Sequence, residues 1–287
     1  MSVVGEARSR LDAAIFRKVA GRDAFEKRAR IHETPGPRWF SHDSAIRRVH
    51  DNVSMYPGGI RALLLQSLHP LAMAAVAQHS GYRSDVWGRL ARTSTFIATT
   101  TFGTAEHAQE AVDIVRAVHA RVIGTAPDGR PYRADDPHLL AWVHVAEADS
   151  FLTAHTRYGR DRLTPAERDE YVAEAALVAR ALGAERVPTT AAGLAAALEA
   201  FRPELAATPA SLDVARFLLR EAPLPAVARP FYAVLAMAAA DLLPSWARDM
   251  LGLGHRGRLG RALVRAGAAA VLAVMDWAAT ASRRRGT

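Results

Sequence analysis

The chain contains no cysteine. That excludes disulfides, thiolate metal centres and a cysteine nucleophile, and it suits a reducing compartment. Aromatic residues are scarce, at 7%, while alanine is abundant, a balance that favours helix over sheet. Also missing are a phosphate-cradling glycine loop, HExxH, GxSxG and any paired-cysteine zinc motif. Gly252-Leu253-Gly254 is too slight to stand for the first of these. Neither an alternating βα rhythm nor an internal repeat is visible. The amino terminus (MSVVGEARSRLDAAIFRK) has no apolar segment of the signal-peptide kind.

Half of the 287 residues are hydrophobic, enough for a substantial core in one domain. The formal charge of +8 comes almost entirely from arginine. Such a surplus can serve nucleic acid or an anionic membrane. Here it is scattered, apart from the first fifty residues and the Arg283-Arg284-Arg285 tail, so no nucleic acid is expected as a partner. Ala62 to Tyr82 reaches membrane length without a formal charge. Gln66, His69, Pro70, Gln78 and His79 lie within it and predict a buried, proline-bent core helix instead. The run from Ala266 to Ala281 is short and carries Asp276. The expected location is the cytoplasm, or the periphery of a membrane rather than across one.

Punctuation along the chain predicts a succession of helices. Leu11, Ile15 and Val19 mark an amphipathic first helix ending near Gly21, and a short helix follows around 45–53. Pro57-Gly58-Gly59 precedes an all-round apolar stretch with a bend near Leu68–His69. Thr104 caps a helix that Gly124 is expected to end. A turn at Ala126–Gly129 leads to Asp136-Pro137, a cap followed by proline at the first helical position. Leu140, His144, Ala148, Phe151, His155 and Tyr158 line that helix's buried side. Thr164-Pro165-Ala166-Glu167 reads as a capping box, with Gly183 closing its helix. Further helices follow at 190–201, 208–221 and 230–243, then a long one from about Arg258 to Arg284. The fold class is all-α.

Between Arg89 and Gly124 two basic clusters keep helical spacing. Arg89, Arg92 and Thr93 are spaced i, i+3, i+4; Arg116 and His119 are spaced i, i+3, so each cluster shares one face. Between them Thr93 to Ala105 carries no charge. An imidazole on an apolar helical face, accompanied by guanidinium groups, suits a large, flat, anionic cofactor. Haem is such a group: histidine ligates iron, arginines answer the propionates and apolar walls cover the ring. A core histidine satisfied by a neighbouring carbonyl or carboxylate is the competing reading of His119. His69, at a helix bend before proline, either lines the cofactor pocket or bonds a freed carbonyl. His144 and His155, eleven residues apart on one face, line a pocket or are structural; His79 and His107 are expected to be solvated.

The same residues carry a family resemblance. The segments GGIRALLLQSLHP (58–70), RLARTSTF (89–96), Phe102-Gly103, RAVHARVIG (116–124), YRADDPHLLAWVH (132–144) and LPSWAR (243–248) resemble the family of the rubber oxygenases (latex-clearing proteins) and the ER-bound MpaB-type oxygenase. That resemblance implies a b-type haem in a helical core likened to the globin fold. It puts the axial ligand on His119, three residues after Arg116, and the distal Arg-x-x-Lys-Thr motif on Arg89, Arg92 and Thr93. Arg92 stands where those enzymes have lysine, and arginine neither gives up its proton readily nor fits as a lysine capping the iron would. The rubber enzymes also use a glutamate upstream of that motif, and none occurs between Arg61 and Arg89. These departures leave haem binding in place and argue against rubber-type cleavage of a polyisoprene.

The expectation is therefore a single-domain helical bundle with a globin-like core around a haem pocket. It divides into an amino-terminal helical extension (1–57), a family core (58–252) and a carboxy-terminal helix with a basic tail (253–287). The function expected is that of a haem-b oxygenase acting with dioxygen on an apolar small molecule or polymer, isoprenoid or lipid-like. Its site has His119 as the iron ligand, Arg116, Arg89, His69 and His144 around the cofactor, and Arg92, Thr93 and Arg89 near the chemistry. Two rival readings stand beside it. One is a non-catalytic helical haem- or lipid-binding protein; the other is a non-haem metal oxygenase using His69, His144 and His155.

Overall fold

The computed structural model describes residues 24–79, 83 and 85–283. The first helix expected from the sequence, at 11–21, lies outside them. The described helices are α1 (Ala24–His32), α2 (Ala45–His50), α3 (Met55–Gln66), α4 (Pro70–His79), α5 (Val86–Phe102) and α6 (Ala105–His119). They continue as α7 (Pro137–Tyr158), α8 (Pro165–Leu182), α9 (Ala191–Ala200), α10 (Pro209–Arg216), α11 (Arg229–Leu242), α12 (Ser245–Met250) and α13 (Arg258–Arg283). The all-α expectation holds.

The centre of the bundle is α7. Its start is set chemically: Asp136 accepts from the His138 and Leu139 amides at 2.8 and 3.0 Å, and Pro137, which lacks a donor, loses nothing at the first position. Around its length Leu140, Trp142, Val145, Ala148, Phe151 and Ala154 are all buried, so α7 is enclosed by its neighbours rather than seated on a surface. The helix α3 crosses it closely, and Gly58 makes the approach feasible. A Cβ there would stand 3.0 Å from the Phe151 ring and 3.2 Å from Ala154 Cβ. Arg61, 2% exposed, locks the crossing. It pairs with Asp149 at 2.6 Å, donates to Ser150 Oγ at 2.7 Å and to the Leu242 carbonyl at 2.9 Å, joining α3, α7 and α11.

Pro70 bends the apolar stretch as expected, turning α4 by 105° from α3. Proline cannot donate back to residue 66. The Gln66 carbonyl is taken instead by the His69 amide and by the Trp142 indole N–H, both at 3.3 Å. The helix α8 begins with the capping box at Thr164 and Glu167 and ends at Gly183 with φ of 105°.

One element differs from the sequence reading. The helix α6 stops at His119, not at Gly124, and a short antiparallel hairpin follows: β1 (Ile123–Thr125) with β2 (Pro131–Arg133), Gly124 opposite Tyr132. Gly124 is there for room. A side chain would fall 2.4 Å from the Tyr132 hydroxyl, which donates to Gln78 Oε1 of α4 at 2.7 Å.

Candidate functional site

On α5 the basic cluster divides between inside and outside. Asp85 caps the helix by accepting from the Gly88 amide at 3.1 Å and holds Arg92 at 3.0 Å. Arg92 thus lies at the surface, its side chain 67% exposed, and Thr93 is exposed beside it. Arg89 is only half-exposed and has no acidic partner among the described residues. Burial, and then the charge of Arg92, lower its pKa. From Ser94 to Thr99 every residue is half-buried. A helix packed on one side only alternates between covered and open positions; this stretch does not.

The next helix begins at Thr104, which accepts from the His107 amide at 3.2 Å. Arg116, expected on its inward face, is exposed, and its guanidinium donates at 3.3 Å to the Ala181 carbonyl at the end of α8. That carbonyl is one of the unpaired groups of a helix terminus, a natural seat for a cation. His119, one turn on, is half-buried. Burial lowers its pKa and Asp135 pulls it partly back, so the ring is neutral near pH 7. Neither ring nitrogen is committed to a described residue.

Along α7 the stripe His144, Glu147, Phe151, His155 rises in steps of three and four. Burial, then Arg180, lowers the His144 pKa to about 4, and its buried Nε2 has no partner among the described residues. Burial raises Glu147 to about 7. An imidazole held neutral and a carboxyl that titrates near pH 7 therefore lie one turn apart. His155 is 1% exposed, and neither ring nitrogen has a hydrogen-bond partner among the described residues. Facing this stripe is His50 of α2. Its Nδ1 lies 2.8 Å from Thr101 Oγ1, its ring meets Phe151 edge-on at 5.4 Å, and burial lowers its pKa to about 3.

Residues 46–274 match the family described as "ER-bound oxygenase mpaB/B'/Rubber oxygenase, catalytic domain". The chain belongs to this oxygenase family. No curated protein and no solved structure matches it.

In this member of the family the segments that carried the resemblance fall at structurally demanding places. GGIRALLLQSLHP forms the α3 crossing and the α3–α4 corner, RLARTSTF lies on α5, and RAVHARVIG runs from the end of α6 into β1. His69 sits apart from the other candidates. It is 2% exposed, with its ring 6.3 Å from Trp142 and its Nε2 3.5 Å from Glu204, a carboxylate that His138 also reaches at 2.8 Å. Burial lowers its pKa and Glu204 opposes that. Trp142 and His144 are two residues apart, about 200° around the helix, so His69 and His144 flank opposite sides of α7. The metal-ligand set of His69, His144 and His155 is accordingly not assembled. Among the described residues no three His, Asp or Glu groups are arranged to hold an ion.

The structure adds two residues that sequence reading passed over. Glu147 lies on the same stripe as His144 and His155 and was readable from that spacing. His50 was not, because the six residues of α2 give no sign of how deep the tertiary contacts bury it.

Proposed function

We propose that this chain is a haem-b oxygenase that acts with dioxygen on an apolar, isoprenoid or lipid-like substrate, with His119 as the residue that would ligate the iron. The observation that carries the reading is the combination on neighbouring helices of a neutral, uncommitted imidazole and a half-buried guanidinium, Arg89, without a carboxylate. A cation withdrawn from water needs an anion, and a porphyrin propionate is one. The partial access along 94–99 fits a helix bordering a space for a flat ring, the globin-like pocket anticipated from the sequence.

When bound, the haem supplies the redox chemistry of dioxygen. The residues supply the rest. His119, its pKa lowered by burial, would offer the iron a lone pair, and Arg89 would answer a propionate. Arg116 holds the end of α6 to α8 through the Ala181 carbonyl and so fixes the height of His119. Glu147, its carboxyl raised to about 7 by burial, is able to hold or release a proton in the interior. An apolar substrate needs no charged anchor and gathers where lipid does, which accords with a membrane-peripheral setting.

The test is spectroscopic. Protein produced with adequate haem should show a Soret band and a b-type pyridine haemochrome, and His119→Ala should weaken haem binding by at least about a hundredfold. A His119→Ala protein with a full Soret band removes the assignment. One observation favours the rival, a non-catalytic haem or lipid carrier: Arg92 and Thr93, placed near dioxygen by resemblance, are turned outward, with Arg92 tied to Asp85. Oxygen consumption with an alkene separates the two, since a carrier binds haem without turnover.

A further inference from the structure

The carboxy-terminal helix α13 has an outer face with no charge on it. Leu259, Leu263 and Val274 are 75, 66 and 53% exposed, and the exposed positions between Leu263 and Val274 are alanines. They recur at helical spacing over about 22 Å. From Leu251 to Met275 the sequence has no aspartate or glutamate but four arginines, at 256, 258, 261 and 265. The two charges that would spoil the face are turned inward. Arg265 lies 3.4 Å from the buried Asp241, and Asp276 lies 3.5 Å from Arg160. The partner helix α11 runs antiparallel to it, since Ala238 packs with Val264 and Ala268 while Leu235 packs with Leu272. It adds Phe231, 57% exposed, and the turn before it adds Val227, 78% exposed.

We propose that the outer faces of α13 and α11 are a docking surface for an anionic lipid bilayer, on which the protein lies with α13 in the membrane plane. By length and composition, residues 258–279 would suffice to cross a membrane. Crossing would, however, carry the Arg265–Asp241 and Asp276–Arg160 pairs into hydrocarbon along with the body they bind, which is costly. Lying flat avoids that cost, sinks the apolar stripe into the headgroup boundary and sets Arg256, Arg258 and Arg261 beside anionic headgroups. The alternative cover, a second copy of the chain, would leave those arginines facing one another, with no acidic residue on this helix stretch to answer them. The inference deepens the membrane-peripheral part of the proposed function but does not depend on the haem assignment.

The test uses the full chain with vesicles of phosphatidylcholine alone and of phosphatidylcholine with about one-third phosphatidylglycerol. The wild type should co-sediment with the mixed vesicles and do so less at high salt. Leu263→Glu combined with Val274→Glu should lower the partition coefficient about tenfold or more, with helical circular dichroism unchanged. Arg258→Gln with Arg261→Gln should weaken binding to the anionic vesicles only. A wild type that ignores both vesicles overturns the proposal. So does a concentration-dependent dimer that the double glutamate variant dissolves, because a second copy then covers the face. The absorption spectrum of the same samples reports haem separately, so failure of one reading is distinguishable from failure of the other.

Discussion

Two histidine neighbourhoods flank α7, and they differ in how their burial is used. On one side His69 is packed against Trp142, near Glu204 and His138, at a corner where backbone groups need partners. On the other, His144 and Glu147 lie half-buried, the imidazole neutral near pH 7 and the carboxyl titrating there. The helices α5 and α6, packed on each other, hold Arg89 and His119, each half-buried. The lesson is that depth alone does not mark a site. His69, for all its aromatic and carboxylate neighbours, leaves both ring nitrogens without a hydrogen bond among the described residues, and its enclosure is what sets it apart. A half-buried neutral one such as His119, on a helix packed against that of a cation lacking its counter-charge, is available for a ligand.

The largest effect expected from breaking this contrast is on the closed side. Trp142→Ala should cost about 3–5 kcal/mol in urea unfolding, because it empties a fully buried site and removes a donor to the Gln66 carbonyl. The haem spectrum of the surviving folded protein should be unchanged. A lost Soret band would join the two sides into one site.

Next in size is a pH effect on the open side. Glu147 has a folded pKa of about 7, above its ordinary 4.5. The folded state therefore holds the proton more tightly, and the stability this gives is present below pH 4.5 and is lost as pH rises through 4.5 to 7. His144, lowered from 6.5 to about 4, does the opposite: its contribution is present above 6.5 and lost as pH falls toward 4. Glu147→Gln should thus be more stable than the wild type by roughly 1–3 kcal/mol at about pH 8 and equal to it near pH 4. Urea titrations at the two pH values check this, and a variant equal to the wild type at both would mean that Glu147 is well solvated.

The smallest expected effect sharpens the distinction within α5 itself. Arg92→Ala should change stability by no more than about 0.5 kcal/mol, since its pair with Asp85 is exposed, and it should leave the haem spectrum alone. Loss of oxygen consumption with stability intact would bring Arg92 back to the chemistry and favour the enzyme over the carrier.

Helix starts were legible because their signals are local. Thr104, Asp136-Pro137 and the Thr164–Glu167 box each satisfy amides within three residues, so the sequence carries the whole interaction. The β1–β2 hairpin was not legible, because three-residue strands carry no alternation to detect. Spacing identified which residues share a face on α5 and α6 without fixing which way the face turns. Asp85 decides that for Arg92, and the Ala181 carbonyl, 65 residues away, decides it for Arg116. His50 escaped notice for the same reason, being buried by partners in α5, α7 and α8.

The corner between α3 and α4 has a consequence for the order in which the molecule assembles. Its indole donor comes from 76 residues downstream, and the adjacent Leu68 carbonyl accepts from the Ala206 amide, later still. A nascent chain that has made α3 and α4 therefore has a hinge, not an angle. The hinge latches in two steps, when the long central helix docks and when the segment at Ala206 follows, and amide exchange around the elbow should slow in step with both.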